Sequence, residues 1–263
     1  IYDEAIDAVR EFAKQNVGKK ITQENFINFL QTHYKNLIKD TNITKALFSV
    51  AETLKDFIEK NRDTIWAFVL KNIYKPFFLK NKFDFVIGNP PWLVYRNAEP
   101  EYQKFLKDQI IKKYNLLSGR GELITHVELG TLFLLRSADL YLKENGIIAF
   151  VLPRSIFTAD QHDGLRQGKF KNVALNFIEV WDCENVTPLF NIPSCVLFTK
   201  KQTMIKVTYP ILGQRITGKL KQRNASLDEA EKNLSVENLK IFLHKKGERS
   251  FWATEEPKDE EKG

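Results

Sequence analysis

Lys82-Phe83-Asp84-Phe85-Val86-Ile87-Gly88-Asn89-Pro90-Pro91-Trp92 is the stretch on which the reading of this chain turns. Residues 83–88 form a short apolar run bounded by turn residues, the pattern of a buried strand. Pro90 and Pro91 stop it, because each fixes φ and removes an amide donor. The residue before each proline is held extended. The strand therefore runs into a rigid, donor-poor turn that carries free carbonyls, an Asn side chain and an aromatic face.

Downstream of this turn, helices are expected over roughly residues 101–114 and 126–143. The second carries Leu129, Leu132, Phe133, Leu140 and Leu142, and Asn145-Gly146 closes it as a left-handed cap. Ile147-Ile148-Ala149-Phe150-Val151-Leu152 reads as a second buried strand, stopped by Pro153. A short helix falls within 157–170, and further strands within 175–181, 194–199 and 205–212. Strands and helices alternating at this spacing predict an α/β fold with a largely parallel sheet and right-handed crossovers. Such sheets bind ligands beyond the carboxyl ends of their strands. The 89–92 turn and Pro153-Arg154-Ser155 both fall there.

Upstream, residues 1–80 read as a helical lead-in. Ile6, Val9 and Phe12 share a face, as do Phe26, Phe29 and Leu30, and then Leu47, Val50, Leu54 and Ile58. Thr22 with Asn25 and Asn42 with Lys45 are candidate helix starts. Gly18 is the single glycine of this segment. The expected organisation is a lead-in over 1–80, a core over 81–212 and a basic extension over 213–263.

A formal net charge of +7 suits a polyanionic partner. Cys183 and Cys195 have neither metal-ligand nor redox spacing and fit a reducing compartment. His126 and His162 stand alone, so no metal is expected. Glu128 and Asp139 read as solvated helix charges. No apolar run is long enough to cross a bilayer, so no membrane role is expected and the location expected is cytoplasmic.

The turn has a chemistry of its own. An adenine amino group offers two N–H donors, and its lone pair is delocalised into the ring, which makes it a poor nucleophile. The Asn89 side-chain oxygen and the Pro90 carbonyl could accept both N–H groups and favour a tetrahedral nitrogen. Acceptors fixed before the reaction stabilise charge as it develops. Trp92 would stack on the base, which must leave the duplex to be reached.

At these residues the chain resembles amino-methylating DNA methyltransferases. The likeness is closest to the gamma-type adenine enzymes, including methylase parts of type IIG restriction–modification proteins and related phage-defence methylases. Residues 82–92 are similar to the family's catalytic strand and loop. Residues 140–153 are similar to its helix-turn-strand stretch, and 189–198 to the segment whose aromatic stacks on the flipped adenine. The resemblance implies a Rossmann-like S-adenosylmethionine-dependent sheet acting on double-stranded DNA. Asn89, Pro90, Pro91 and Trp92 would then be catalytic, and Phe190 would stack on the base. Arg154 is a candidate for a phosphate contact or a plain surface arginine, and Phe133 a candidate for the cofactor's adenine or a core residue of its helix. Residues 213–263, with Lys219, Lys221, Arg223 and Arg249, read either as the start of a DNA-recognition region or as a plain basic surface. The resemblance also allows for an endonuclease or specificity region in the same polypeptide.

The chain departs from the family pattern in one respect. The family's cofactor site needs a glycine-rich loop after a first strand and an acidic residue ending a second, and neither precedes Phe83. They are expected to lie ahead of Ile1, leaving the isolated chain a poor cofactor binder. Two alternatives stay open: a methyltransferase acting on cytosine, RNA or protein glutamine, and a non-catalytic DNA-binding or assembly scaffold.

Overall fold

A computed structural model describes residues 2–38, 41–60 and 79–257. The chain divides into two compact units, Ile1–Lys80 and Asn81–Gly263. The first contains α1 (Tyr2–Gln15), α2 (Gln23–His33) and α3 (Thr41–Glu59). Their apolar stripes meet in one cluster of Val9, Phe12, Phe26, Leu30, Leu47, Val50 and Leu54, all buried. Phe12 and Phe26 pack edge-on with ring centroids 5.0 Å apart. Thr22 caps α2, accepting from the Asn25 amide at 3.2 Å, as its position before the apolar run predicts. The side chain of Asn42 and the helical reading of 61–78 lie outside the described residues.

The second unit is built on a sheet of seven strands: β1 (Phe83–Gly88), β2 (Leu142–Pro153), β3 (Leu175–Thr187), β4 (Ser194–Lys201), β5 (Ile211–Lys219), β6 (Leu234–Lys246) and β7 (Arg249–Ala253). Its order is β1-β2-β4-β3-β5-β6-β7. Helices α4 (Pro100–Lys107) and α5 (Leu129–Tyr141) connect β1 to β2, α6 (Asp163–Arg166) follows β2, and α7 (Leu227–Asn233) precedes β6. The fold is α/β, as expected. The strand directions correct the expectation of a largely parallel sheet. Only β1–β2 and β3–β5 pair in parallel, and the other four pairings are antiparallel. β4 accounts for two of these four, returning between β2 and β3 against their common direction, and the successive reversals β5–β6 and β6–β7 account for the other two.

Three local readings change. β1 is a strand but not a buried one, since Phe85 is 70% and Ile87 83% exposed. Among the described residues it is the outermost strand, with β2 as its hydrogen-bonded neighbour, and Val86 packs on the core. The left-handed residue Asn145 (φ 65°) lies beyond the helix end at Tyr141, inside an irregular start to β2. Gly146 lets the backbone approach closely there, since an added Cβ would sit 3.0 Å from the Lys143 carbonyl and 3.1 Å from the Asp84 carbonyl.

The strand expected over 205–212 begins instead at Ile211. Pro210 offers no donor to a ladder, and Ile205 and Val207 pack against the core by their side chains. Because β5 spans position 212 and pairs with β3, the sheet runs on through the segment expected to be an extension.

Asp163, buried at the start of α6, ties that helix to β7. Its carboxylate accepts from the Ser250 amide at 2.7 Å, from Gln167 at 2.9 Å and from Arg120 at 2.9 Å. Burial alone would raise its pKa, but these donors outweigh burial and hold it below the ordinary 3.8. A carboxylate lowered on folding contributes stability that is complete above its unfolded value and is lost as pH falls through the lowered one. Asp163→Asn is therefore expected to flatten the acid limb of the stability curve below about pH 4, read by thermal unfolding scans. An unchanged limb would contradict this role.

Candidate active site

The sheet topology brings the loops of interest to one edge. β1 runs parallel to β2, and Gly88 pairs with Phe150. Pro153, at the end of β2, pairs with Ser194, at the start of β4. The turn after β1, the loop after β2 and the loop leading into β4 therefore share the carboxyl end of the sheet, where α/β sheets bind ligands.

In the turn itself Asn89 and Pro91 are exposed, Pro90 is buried and Trp92 is partly buried. Pro90 packs toward the start of α5, where a Cβ added to Gly130 would lie 3.8 Å from its ring and 2.9 Å from Leu152. A glycine at that position lets the helix approach both. The Trp92 indole N–H donates to the Val151 carbonyl at 3.2 Å. The Trp92 and Phe190 rings meet with centroids 4.7 Å apart and planes inclined by 51°. Two aromatics almost a hundred residues apart in sequence are thus in direct contact beside an exposed Asn. A base stacked between them would need the rings to part to roughly 7 Å, twice the usual carbon–carbon contact.

The other two candidates have different surroundings. Arg154 gives Nε and Nη2 to the Asp182 carboxylate at 2.9 and 3.0 Å and lies 3.3 Å from Glu184. Its guanidinium stands 4.6 Å from the Phe157 ring centre, and its backbone amide donates to Pro193 in the Phe190 loop at 2.9 Å. It joins the loop after β2 to Asp182 and Glu184 of β3. Phe133 packs against the main core and stays partly exposed, one helical turn along from Gly130.

Sequence reasoning missed a polar cluster beside the turn. Glu128 is not a solvated helix charge: its Oε2 accepts from Ser155 Oγ at 2.6 Å and lies 3.4 Å from His162 Nε2. His162 is 2% exposed. Burial would raise the Glu128 pKa, but His162 and Ser155 outweigh it and the net direction is down. Asp139 is likewise engaged, by Tyr114 and Lys113, each at 2.8 Å. The one available signal was position: Glu128 immediately precedes a strongly apolar helix, and Ser155 follows the proline that ends β2.

A cleft of about 640 Å³ lies elsewhere, on β3, β5 and β6, lined by Ile178, Leu212 and Phe242 among others. None of its lining residues belongs to the 89–92 turn.

Fold and site together define an α/β protein with a rigid Asn-Pro-Pro-Trp turn, backed by an aromatic pair, at the carboxyl edge of a mixed sheet. The chain belongs to the Eco57I restriction-modification methylase family, whose model matches residues 8–187, about two thirds of the chain. The match begins inside α1 and ends with β3, so it takes in the N-terminal helices and stops short of Phe190. No curated protein matches the chain.

Among solved structures it is similar to a chain of the DrdV–DNA complex, at 14% identity and a TM-score of 0.40, over 70% of this chain and 19% of that one. The ATP-dependent Type ISP restriction-modification enzyme LlaBIII bound to DNA gives 13% identity and 0.42, over 73% and 14%. A nuclease-deletion mutant of the Type ISP enzyme LlaGI, in complex with a DNA substrate mimic, gives 14% and 0.40, over 91% and 29%. The chain spans 14% to 29% of the length of these solved chains. Among the described residues no helix is long and apolar enough to cross a membrane.

Proposed function

We propose that this chain supplies the base-holding part of a gamma-type DNA adenine methyltransferase. Its substrate is the exocyclic amino nitrogen of an adenine flipped out of double-stranded DNA, and its setting is a restriction–modification or phage-defence protein. The observation that carries the reading is the exposed Asn89 on a double-proline turn, beside the touching rings of Trp92 and Phe190. Family membership and the basic charge support it.

In this reading Asn89 Oδ1 and the Pro90 carbonyl accept the two amino N–H groups. Pro91 keeps the turn rigid, so the acceptors need no reorganisation as charge develops on nitrogen. Trp92 and Phe190 part to stack on the base, which compensates for stacking given up in the duplex. Phe133, near the same helix end, is the candidate for a cofactor's adenine ring.

The methyl donor implied is S-adenosylmethionine, but the residues present do not fit a complete site for it. The described elements ahead of β1 are helices. Gly18, the segment's one glycine, has open space where a Cβ would go, so it forms no cradle. The residues of this chain accordingly account for the amine side of the transfer alone. That same misfit favours a second reading, in which the sheet serves as a DNA-binding scaffold without catalysis.

One experiment separates these readings. The full-length protein, given methyl-labelled S-adenosylmethionine, is offered duplex DNA, structured RNA and a release factor, and the modified product is identified after digestion. N6-methyladenine in duplex DNA is expected. Label in cytosine, RNA or glutamine would move the acceptor and refute adenine, and DNA binding without transfer would favour the scaffold.

A further inference from the structure

We infer that Glu128 is a positioning residue for the reacting turn: it sets where Asn89 and Pro90 stand without touching the substrate. The inference rests on the methyltransferase reading above. Its basis is that backbone and side chain of this one residue hold different loops of the site.

On the backbone side, residues 127–129 are zipped to the segment that leaves the 89–92 turn. The Leu129 amide donates to the Leu93 carbonyl at 2.8 Å, and the Tyr95 amide to the Val127 carbonyl at 2.8 Å. Val94 and Glu128 form the β-bridge between these two bonds. Two residues further on, Gly130 is the point at which α5 approaches Pro90. The turn is thus fastened on its outgoing side to the start of α5.

The carboxylate fastens the same point to the loop after β2. Oε2 accepts from Ser155 at 2.6 Å. That loop in turn carries the residues that locate the aromatic pair: the Val151 carbonyl holds the Trp92 indole, and the Arg154 amide holds Pro193 in the Phe190 loop. His162, buried beneath, faces Oε2 at 3.4 Å, and its Nε2 makes no hydrogen bond of its own. One carboxylate therefore joins the acceptor turn to the loop that aligns the stacking rings.

Helix stability does not account for it. Glu128 is the N-cap residue of α5, yet its side chain makes no capping bond to the helix, and Glu is not among the residues favoured at that position. The side chain is only 18% exposed, and burying a carboxylate costs free energy unless donors meet it. Here the donor is Ser155 in the loop after β2, with His162 facing the carboxylate at 3.4 Å, rather than an amide of the helix. A group that locks an acceptor from behind acts on the rate, since misplacing a reacting group by an ångström can cost about a hundredfold.

The test uses Glu128→Ala, Glu128→Gln and Ser155→Ala. In the full-length protein, Glu128→Ala and Ser155→Ala are expected to lower kcat for methyl transfer by roughly 10- to 100-fold, with KM for duplex DNA unchanged. Glu128→Gln keeps an acceptor for Ser155 and should recover most of the rate. Hydrogen exchange on the full-length protein supplies the second readout. In Glu128→Ala the Tyr95 and Leu129 amides should lose protection while those of the central β2–β4 ladder keep theirs. An active wild type whose kcat is unmoved by Glu128→Ala overturns the inference alone. So does a fall in kcat accompanied by loss of protection across the whole sheet, which would mark a structural role. A wild type that binds DNA and transfers no methyl group overturns the methyltransferase reading itself, and the inference with it.

Discussion

Asn89→Ala in the full-length protein is expected to cut methyl transfer by roughly 100- to 1000-fold while leaving fold and DNA affinity in place. The magnitude is that of removing one preorganised partner from a site of developing charge, about 3–4 kcal/mol. Asn89 is suited to this because it is exposed at the end of β1, beyond the last paired residue, Gly88. A surface substitution of that kind changes stability by no more than about 0.5 kcal/mol. Loss of rate with stability retained therefore isolates the amine-holding role. Asn89→Asp keeps an acceptor oxygen and should fall between the two. Labelled-methyl transfer and urea unfolding, measured side by side, decide the matter. If Asn89→Ala retained activity within a few-fold of wild type, the amine would be held by other atoms.

How much of this was legible in the sequence follows from what is local. The strand at 83–88, the stop at Pro90 and the helix start at Thr22 are short-range effects of periodicity, missing donors and capping, and the structure has each of them. The burial of β1 was not legible, because an apolar run looks the same at the edge of a sheet as in its middle. Phe85 and Ile87 show the difference only once β2 is known to be the strand's neighbour. Strand direction was hidden for a similar reason. Nothing in Ser194–Lys201 declares that it returns between β2 and β3.

The candidate site divides along the same line. The turn could be read because its four residues are consecutive and chemically unusual. The Trp92–Phe190 contact needed the β2–β4 pairing, which brings the loop before Ser194 beside the end of β2. Glu128, Ser155 and His162 are ordinary residues scattered over 35 positions. Only the packing of α5 against the end of β2 makes a cluster of them. Arg154 is the instructive case, because nothing beside it in the sequence announces Asp182, 28 residues on, as its bidentate partner.

That partner makes Arg154→Met the second large effect expected, this time on stability. Asp182 has a side chain 4% exposed, and Arg154, 27% exposed, is its bidentate partner. Removing one member of such a pair leaves a buried charge uncompensated, at a cost of about 3 kcal/mol, the lower end of the range for buried pairs. Urea unfolding should report the loss as a lower midpoint. Adding Asp182→Asn removes the orphaned charge and still accepts from the Glu184 amide, which lies 3.2 Å from the Asp182 carboxylate. The double variant should therefore recover more than half of the loss, and that recovery separates a charge effect from a packing defect. A single-variant cost below about 1 kcal/mol would place the pair among solvent-screened surface bridges. Salt dependence supplies an independent check on what Arg154 does not do. Removing a side chain that neutralises one phosphate makes the slope of log K against log salt shallower by roughly 0.9, so an arginine committed to Asp182 should leave that slope unchanged when replaced. Were the slope to change by that amount in Arg154→Met, the guanidinium would be reaching DNA after all, and its assignment as an internal anchor would have to be given up.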